Sequence, residues 1–234
     1  MKGPEADKIE KLFDSIAGDY DRLNHLLSMG TDRCWRRRAV KEILADGKPL
    51  DILDVACGTG DFSIDIASAA PAGTAVTGID LSEGMLAVMR EKVRRKGLNN
   101  IKIQQGNCES LPFTDEYFDC VCIAFGIRNF EHRDSALREI LRVLRPGCKL
   151  VILELSVPEV PVLRRAYNLY FTKVLPFIGG LISGDKAAYR YLPASVLNFP
   201  GPARWTAFME SCGLRSVTHK ALTFGICRMY TGVK

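Results

Sequence analysis

One stretch of the sequence constrains the fold more than any other, a short apolar run that ends in two closely spaced glycines. Residues 50–55 are few enough for a buried parallel strand, and Gly58 and Gly60 permit a tight turn into a helix that opens at Asp61. A second β-rich run ends on Asp80. Because the carboxyl ends of parallel strands meet at one edge of a sheet, this pattern predicts a Rossmann-like crevice in which Asp80 accepts hydrogen bonds from ribose hydroxyls.

The residues of this turn distinguish between two cofactors that use the same geometry. A dinucleotide site has a third Gly or Ala three residues after the second glycine, so that pyrophosphate lies on the helix N-terminus. Here that position is Ser63, and the carboxylate of Asp61 would repel pyrophosphate. A cofactor with a cationic sulfonium fits better, so we expect S-adenosylmethionine rather than NAD. The alternative is a glycine turn that serves only packing, and the spacing of Asp80 argues against it.

After Asp80 the chain continues to alternate strands and helices, which indicates an α/β fold. Ser82 is expected to cap the next helix, and residues 101–105 form a third strand. Asn107 then follows at the sheet edge, where its amide can donate and accept along a purine edge, while the N–H of Cys108 offers a further donor. The alternative for Asn107 is a turn-forming role beside Gly106.

The fourth strand is predicted over residues 119–125, and the segment that follows it is expected to carry the chemistry. Methyl transfer needs mostly positioning, together with an acceptor made nucleophilic. An arginine and an amide, Arg128 and Asn129, stand at this edge and are suited to stabilising an oxyanion on the acceptor. The alternative is a helix-docking role for Arg128 and a capping role for Asn129. A fifth strand is predicted from Lys149 to Leu155.

The chain reads as one domain with four parts. We predict a helical cap over residues 1–48, a cofactor-binding core over 49–155, a lid insertion over 156–200, and a C-terminal helix and strands over 201–234. The insertion is rich in apolar and aromatic residues, which suits a lid over a hydrophobic acceptor, with Phe171 and Phe177 as its candidate contacts. The alternative is a packed helix without a role in binding.

Composition and charge agree with a cytoplasmic enzyme. The 234 residues are 47% hydrophobic with a formal net charge of +5, and the eight cysteines lack any Cys-x-x-Cys pair, which indicates reduced thiols. The charged N-terminus lacks the apolar core of a signal peptide, and no run reaches the ~20 apolar residues of a membrane span. The basic cluster of Arg33 and residues 36–38 is a candidate contact for an anionic membrane surface.

Five motifs together resemble a particular enzyme family, the ubiquinone and menaquinone biosynthesis C-methyltransferases. They are Phe13–Asn24, Gly30–Arg36, Asp54–Asp61, Phe125–Asn129 and Tyr189–Ser195. The match spans nearly the whole chain, and several motifs lie in the predicted cap and lid, where a generic methyltransferase would not share them. The resemblance implies a class I methyltransferase, with a seven-stranded, mostly parallel sheet, that adds a methyl to a ring carbon of a polyprenylated quinol.

The resemblance also implies site residues. By position in these motifs, Thr59, Asp80, Asn107 and Cys108 would contact S-adenosylmethionine. Together with Asp54, Gly58, Gly60 and Leu81 they make the predicted cofactor-binding set, and the predicted catalytic set is Arg128, Asn129 and Tyr191. Some family members carry Ser at the position of Ala124. Because arginine stays protonated, the acceptor proton is expected to leave to a water held by Arg128 and Asn129, or to Tyr189 or Tyr191, with His25 as a weaker candidate. No metal ligand set is predicted.

Demethylmenaquinol is the expected acceptor, and the benzoquinol precursor of ubiquinone or another hydrophobic small molecule is the alternative. A homodimer and a peripheral contact with the inner face of the membrane are further expectations, and no nucleic-acid partner is expected. Three other functions compete with this one. They are an NAD-linked oxidoreductase, which Asp61 and Ser63 oppose, a nucleic-acid methyltransferase, whose binding would depend strongly on salt, and a non-catalytic adenosyl-binding module.

Overall fold

A seven-stranded sheet forms the centre of the molecule. The computed structural model describes residues 1–170 and 186–234. The strands are β1 (Asp51–Val55), β2 (Ala75–Asp80), β3 (Ile101–Gln105), β4 (Phe118–Ala124), β5 (Leu144–Leu155), β6 (Arg215–Leu222) and β7 (Cys227–Val233). Their order is β3-β2-β1-β4-β5-β7-β6, with β1 to β5 parallel and β7 antiparallel to both of its neighbours. The predicted fold class is confirmed.

Helices precede, connect and follow these strands. They are α1 (Ala6–Ile16), α2 (Tyr20–Leu27), α3 (Thr31–Ile43), α4 (Asp61–Ala69), α5 (Glu83–Lys96), α6 (Arg133–Val143), α7 (Pro161–Leu169), α8 (Lys186–Asn198) and α9 (Pro202–Ser211). The helices α1 to α3 fall within the predicted cap, and α7 and α8 within the predicted lid. The divisions at residues 48, 155 and 200 stay a prediction.

The central strands β1, β4 and β7 are buried on both faces, as expected for a sheet covered by helices, whereas the edge strands β3 and β6 are largely open to solvent. Side chains alternate between two cores: Leu53 points into the core shared with α6 and α9, whereas Ile52 points into the core shared with α3 and α4. Trp205 on α9 and Trp35 on α3 are large side chains in these two cores. The alternation fixes the register, because a shift by one residue would exchange the two faces.

The ends of α5 show why the sequence folds locally as predicted. The Ser82 hydroxyl accepts a hydrogen bond from the Met85 N–H at 3.1 Å, the expected N-cap. Gly97 ends the helix in the left-handed conformation, with φ of 64°. The helix therefore starts at Glu83, three residues after Asp80, and the carboxylate stays at the sheet edge.

The fifth strand differs from the prediction because it begins at Leu144 rather than Lys149. Leu144 pairs with Phe118, Lys149 pairs with Cys120, and the register shifts between them. Residues 145–148 are therefore an irregularity within the strand, where a turn had been expected before it. Gly147 has φ of 75° there, a conformation that L residues with side chains rarely adopt.

All eight cysteines are free, as predicted for reduced thiols. Five of them are buried, and Cys34 is exposed. Within the described residues, no helix has both the length and the apolarity needed to cross a membrane.

Candidate cofactor and acceptor sites

Two adjoining cavities lie at the carboxyl edge of the parallel strands. The larger has a volume of about 380 Å³ and the smaller about 90 Å³. Five residues line both, namely Tyr20, Ala56, Gly58, Ala124 and Phe125. These five residues form the boundary through which a group held in one cavity would reach a group held in the other.

Backbone geometry at this boundary is unusual for residues with side chains. Ala56 follows β1 with φ of 55°, and Phe125 follows β4 with φ of 59°. A Cβ at Gly126 would lie 2.8 Å from the Cβ of Ala56, so only glycine fits there. Left-handed non-glycine residues cost free energy and occur preferentially at functional sites. The pair thus marks the strand ends as a candidate reaction centre.

Asp80 lies in the smaller cavity and is held by main-chain groups. Its Oδ2 accepts a hydrogen bond from the Gly58 N–H at 2.8 Å, and its Oδ1 from the Ser82 N–H at 2.9 Å. Burial raises the pKa of Asp80, while the N–H groups of Ser82 and Gly58 oppose that shift. Because each oxygen can accept more than one hydrogen bond, the carboxylate retains acceptor capacity for ribose hydroxyls.

Leu81, Asn107 and Cys108 line the same cavity, so the structure brings these predicted residues together with Asp80. Asn107 also forms a turn, since its Oδ1 accepts a hydrogen bond from the Glu109 N–H at 2.9 Å. Its amide nitrogen has no hydrogen-bond partner among the described residues. Burial raises the pKa of the Cys108 thiol, which therefore stays neutral. The turn-forming alternative is present, and the amide nitrogen is the group that remains for a purine edge.

The two glycines of the turn serve different purposes. A Cβ at Gly58 would meet nothing within 4 Å, so this position borders open cavity. A Cβ at Gly60 would lie 2.3 Å from the Cγ of Met89, so this glycine allows α5 to pack against the turn. Gly60 lines neither cavity, and any contribution that it makes to cofactor binding is indirect.

A charged network joins the cap to the turn. Thr59 donates from its hydroxyl to Asp21 Oδ1 on α2 at 2.5 Å. Lys92 on α5 lies 2.7 Å from Asp21 Oδ2 and is also paired with Asp61. Thr59, Asp21 and Asp61 line the larger cavity. The cap is therefore fastened to the predicted cofactor turn by side chains that border the cavity.

Arg36 corrects one sequence expectation. It is buried rather than exposed, with Nη1 2.6 Å from Asp32, Nη2 3.2 Å from Asp61 and Nε 2.7 Å from Asp65. Its charge is therefore taken up inside the protein, and of the basic cluster only Arg33, Arg37 and Arg38 are exposed.

His25 also differs from its expected role. Its Nδ1 lies 2.8 Å from Asp32 Oδ2 and its Nε2 3.4 Å from Asp61 Oδ2, so both ring nitrogens face carboxylates. This geometry opposes a role as general base. His25, Asp32 and Asp61 place ligand atoms within 4.8 Å of one another, but the same two carboxylate oxygens already contact Arg36. The three residues are therefore part of an ion-pair network.

Asp54 lies at the end of β1 and lines the larger cavity. It is fully buried, and its Oδ2 accepts a hydrogen bond from the Ser63 hydroxyl at 2.5 Å. Burial raises the pKa of Asp54 to about 7, and the neighbouring charge of Asp80 acts in the same direction. A cation bound near Asp54 would therefore favour its ionised form.

Arg128 lies in a short 3₁₀ helix after β4 (Ile127–Asn129) and lines the larger cavity. Its Nη1 lies 2.8 Å from Glu154 Oε1, and its Nε donates to the Ser195 hydroxyl at 3.2 Å. Burial alone would lower the pKa of Arg128, but the charge and hydrogen bond of Glu154, together with the nearby hydroxyls of Tyr20 and Tyr191, outweigh that effect and the pKa is raised. The guanidinium is therefore a permanent cation with a fixed orientation.

Asn129 and Tyr191 lie together but apart from the larger cavity. Asn129 lines the smaller cavity, and its Oδ1 accepts a hydrogen bond from the Tyr191 hydroxyl at 2.7 Å. Burial raises the pKa of Tyr191, and Tyr191 lines neither cavity. This placement favours a role in holding Asn129 over the predicted role in proton transfer. The side chains of Tyr189, Phe171 and Phe177 lie outside the described residues.

Tyr20 is a site residue that the sequence analysis did not single out. It lies on α2, lines both cavities, and interacts electrostatically with Arg128. Burial raises its pKa, so the hydroxyl is a neutral donor at ordinary pH. Its place in the first family motif was the only sequence signal, because a cap residue is brought to the sheet edge only by tertiary packing.

Exposed apolar side chains surround the mouth of the larger cavity. Met29 is 82% exposed and Phe224 is 78% exposed, and both line this cavity. Both also have left-handed backbone, with φ of 51° and 56°. Leu163, on the predicted lid, adds a further apolar residue. Large apolar side chains held in solvent at a cavity mouth indicate an apolar ligand or surface.

Comparisons with known proteins agree with this geometry. The chain is 48% identical to the "Ubiquinone/menaquinone biosynthesis C-methyltransferase UbiE" of Geobacter sulfurreducens over 232 residues, which is 98% of this chain and 90% of that protein. It is 43% identical to a "Demethylmenaquinone methyltransferase" of Bacteroides fragilis, covering 99% of this chain and 94% of the relative.

Among solved structures, the fold is similar to that of the [4+2]-cyclase SpnF. The TM-score is 0.66 at 17% identity, with 100% of this chain and 97% of the other covered. A possible histamine N-methyltransferase of Thermotoga maritima gives a TM-score of 0.64 at 18% identity, covering 96% of this chain and 99% of that one. The sequence also matches the model of the ubiE/COQ5 methyltransferase family over residues 1–234. The chain belongs to the ubiE/COQ5 methyltransferase family.

Proposed function

We propose that this methyltransferase moves the methyl group of S-adenosylmethionine to a ring carbon of a polyprenylated quinol, with demethylmenaquinol as the preferred acceptor. The observation that carries the proposal is the pair of adjoining cavities, with Asp80 in the smaller and Arg128 in the larger. The names of the relatives support C-methylation in quinone biosynthesis. The relative named for demethylmenaquinone favours the naphthoquinol over the benzoquinol precursor of ubiquinone.

The polar residues of the two cavities fit a cationic cofactor. S-adenosylmethionine supplies a methyl group on a sulfonium, which is a good leaving group. Asp80 would hold its ribose and the Asn107 amide its adenine edge, while the carboxylates of Asp54 and Asp61, which line the larger cavity, would favour its positive charge. Carboxylates in a partly buried site favour a nearby positive charge. The same carboxylates oppose binding of a pyrophosphate, which argues against NAD.

The larger cavity fits a hydroxylated aromatic acceptor. In a quinol, ionisation of a hydroxyl pushes electron density onto the adjacent ring carbon, which forms the new C–C bond as the S–C bond breaks. The ring carbon then loses its proton and the phenolate takes one up again, so that the methylated quinol forms and one proton per transfer is released to water. Arg128 Nη1 is occupied, but Nη2 has no hydrogen-bond partner among the described residues, so it is the donor that can stabilise the oxyanion. Tyr20 offers a second, neutral donor at the cavity boundary.

The apolar mouth fits a prenyl tail that emerges from the acceptor ring. We infer that Met29 and Phe224 contact this tail and that the same face touches a membrane surface. The exposed cations Arg33 and Arg37 lie in the first two turns of α3, which begins two residues after Met29. Apolar residues combined with nearby cations are the features by which a peripheral protein contacts anionic lipid.

The direct test is methyl transfer with the purified full-length protein. We expect a chemically reduced prenylated naphthoquinol to gain one methyl on a ring carbon, located by mass spectrometry and NMR, and the matched benzoquinol to react more slowly. The oxidised quinone is the control and should give no product, because its ring is electrophilic rather than nucleophilic. Methylation on oxygen, or the absence of any transfer to either quinol, would overturn the proposal.

A further inference from the structure

Glu154 is buried, ionisable and outside both cavities. It lies near the end of β5 and is 0% exposed. Its carboxylate contacts Arg128 at two points: Oε1 lies 2.8 Å from Nη1, and Oε2 accepts a hydrogen bond from the Arg128 backbone N–H at 3.1 Å. One side chain therefore holds both the main chain and the guanidinium of the residue that faces the acceptor.

The other contacts of Arg128 complete this arrangement. Nε donates to the hydroxyl of Ser195 on α8, and Nη1 also donates to the carbonyl of Phe125. The Arg128 carbonyl accepts a hydrogen bond from Arg133 Nη2 at 2.5 Å. With Nε and Nη1 engaged and the backbone held at both ends, Nη2 is the part of the guanidinium that is left for a ligand.

Stability alone is a weak reason for such a pair. Taking two charges out of water costs about as much as their attraction returns, so apolar side chains of similar volume often stabilise a core equally well. The contacts of Glu154 are directional rather than space-filling, because they fix where the guanidinium points. A fixed donor is what an oxyanion needs, since misplacement by about 1 Å costs on the order of 100-fold in rate.

We propose that Glu154 is a positioning residue for methyl transfer. It directs Nη2 of Arg128 towards the acceptor hydroxyl, and its negative charge offsets part of the positive charge that the hydroxyl encounters. This inference rests on the proposed function, because it assigns Glu154 a role in the same reaction. It predicts that the length of the side chain at position 154 affects turnover, whereas its charge also affects the pH at which turnover rises.

The charge prediction depends on the groups around Glu154. Those that interact with it electrostatically are Arg128, Arg133, Tyr167, Tyr191, Cys227 and Tyr230, and Arg228 lies opposite it in the β5–β7 register. Burial raises the pKa of each tyrosine and of the cysteine, so these stay neutral near pH 7. Arg228 is paired with Glu159 at 3.1 Å. Tyr20 lies near Arg128 and also stays neutral because burial raises its pKa. Neutralising Glu154 therefore leaves the acceptor facing more positive charge.

The test compares Glu154→Gln and Glu154→Asp in the full chain, measuring turnover against pH with the reduced prenylated naphthoquinol. Glu154→Gln should lower the plateau turnover by about 100-fold. Its pH–rate inflection should move to lower pH, because uncompensated positive charge favours ionisation of the hydroxyl. Glu154→Asp keeps the charge but cannot span both contacts, so turnover should fall by at least about tenfold with an unmoved inflection. The dissociation constant for S-adenosylmethionine should be unchanged in both.

Glu139→Gln is the matched control, because Glu139 also pairs with an arginine, Arg142, but lies on α6 outside both cavities. It should change neither turnover nor inflection. An unmoved inflection in Glu154→Gln, or a parallel loss of cofactor affinity, would show that Glu154 is only structural. If Glu154→Gln does not fold, Glu154→Asp alone tests the proposal. Turnover equal to that of the wild type in Glu154→Asp would overturn it. No turnover in the wild type would overturn the proposed function itself.

Discussion

The two halves of the site are built in different ways. On the cofactor side, Asp80 is held by the N–H groups of Gly58 and Ser82, main-chain atoms of the turns that follow β1 and β2. On the acceptor side, Arg128 is held by side chains 26 and 67 residues away, Glu154 and Ser195. The carboxylate of Asp80 is held by main-chain groups at the strand ends, whereas Arg128 is held only when the sheet and the predicted lid are packed together. We therefore expect substitutions to affect one half without the other.

The largest difference between the effect on turnover and the effect on cofactor affinity is expected for Arg128→Lys. Lysine keeps the charge but loses the planar fork that contacts Glu154, Ser195 and the acceptor at once. Turnover should fall by about 100- to 1000-fold, the range for loss of one oxyanion donor. Affinity for S-adenosylmethionine, measured by calorimetry, should be unchanged. Arg142→Lys is the control, because its pairing with Glu139 is remote from both cavities. Equal losses of turnover and cofactor affinity would remove the distinction between the two halves.

The opposite result, weaker cofactor binding with an unchanged Michaelis constant for the quinol, is expected for Asp80→Ala. The change removes an acceptor for ribose hydroxyls and also the group that holds the Gly58 N–H. S-adenosylmethionine should bind more weakly by about 1.5–3 kcal/mol, the range for hydrogen bonds to a charged group. At saturating cofactor, the Michaelis constant for the quinol should stay close to that of the wild type. An unchanged cofactor affinity would contradict the assignment of Asp80.

A pH dependence should also appear on the cofactor side alone. Asp54 has a pKa of about 7 in the free protein, because it is buried. A bound cation favours the ionised form and lowers that pKa, so the cofactor binds better when Asp54 is ionised. Affinity should be constant above pH 7 and fall by up to about tenfold per pH unit below it. Calorimetry from pH 5.5 to 8 measures this slope, and Asp54→Asn should abolish it. A slope that persists in the variant would assign the proton to another group.

The smallest effect is expected at the mouth of the larger cavity. Phe224→Ser removes one exposed apolar side chain that can contact a prenyl tail, worth about 1 kcal/mol at ~25 cal/mol per Å². The preference for tailed over tailless quinols should fall about fivefold, with the melting temperature and cofactor affinity unchanged. Leu197→Ser is the matched control, because Leu197 is also exposed but lines neither cavity. An equal effect of both changes would show that the mouth has no special part in tail binding.

The same contrast explains what could be predicted from the sequence. The strand–turn–helix pattern placed Asp80, Asn107 and Cys108 together because strand ends at one sheet edge are neighbours in any parallel α/β fold. Arg128 could be placed in the same way, since it follows β4.

The residues that surround Arg128, and the burial of Arg36 among carboxylates, could not be predicted. Glu154 looks like one polar residue in an apolar strand, Tyr20 lies on a helix whose docking depends on tertiary contacts, and the burial of Arg36 reversed the expectation from its basic neighbours. Residues distant in sequence meet through packing, and no local pattern records which of them will meet.

The contact between Gly60 and Met89 has a consequence for how this family can vary. A Cβ at Gly78 would also approach Met89, with its Cε at 2.9 Å, and the Cys57 sulfur at 3.0 Å. One flexible thioether therefore fills the space left by two glycines on separate elements. Replacement of Gly78 by alanine should be tolerated only when position 89 becomes smaller at the same time, whereas alanine at position 60, where φ is 82°, would be strained even then. In an alignment of relatives, substitutions at positions 78 and 89 should therefore occur together while position 60 stays glycine, so variation at positions 78 and 89 would report on packing rather than on chemistry.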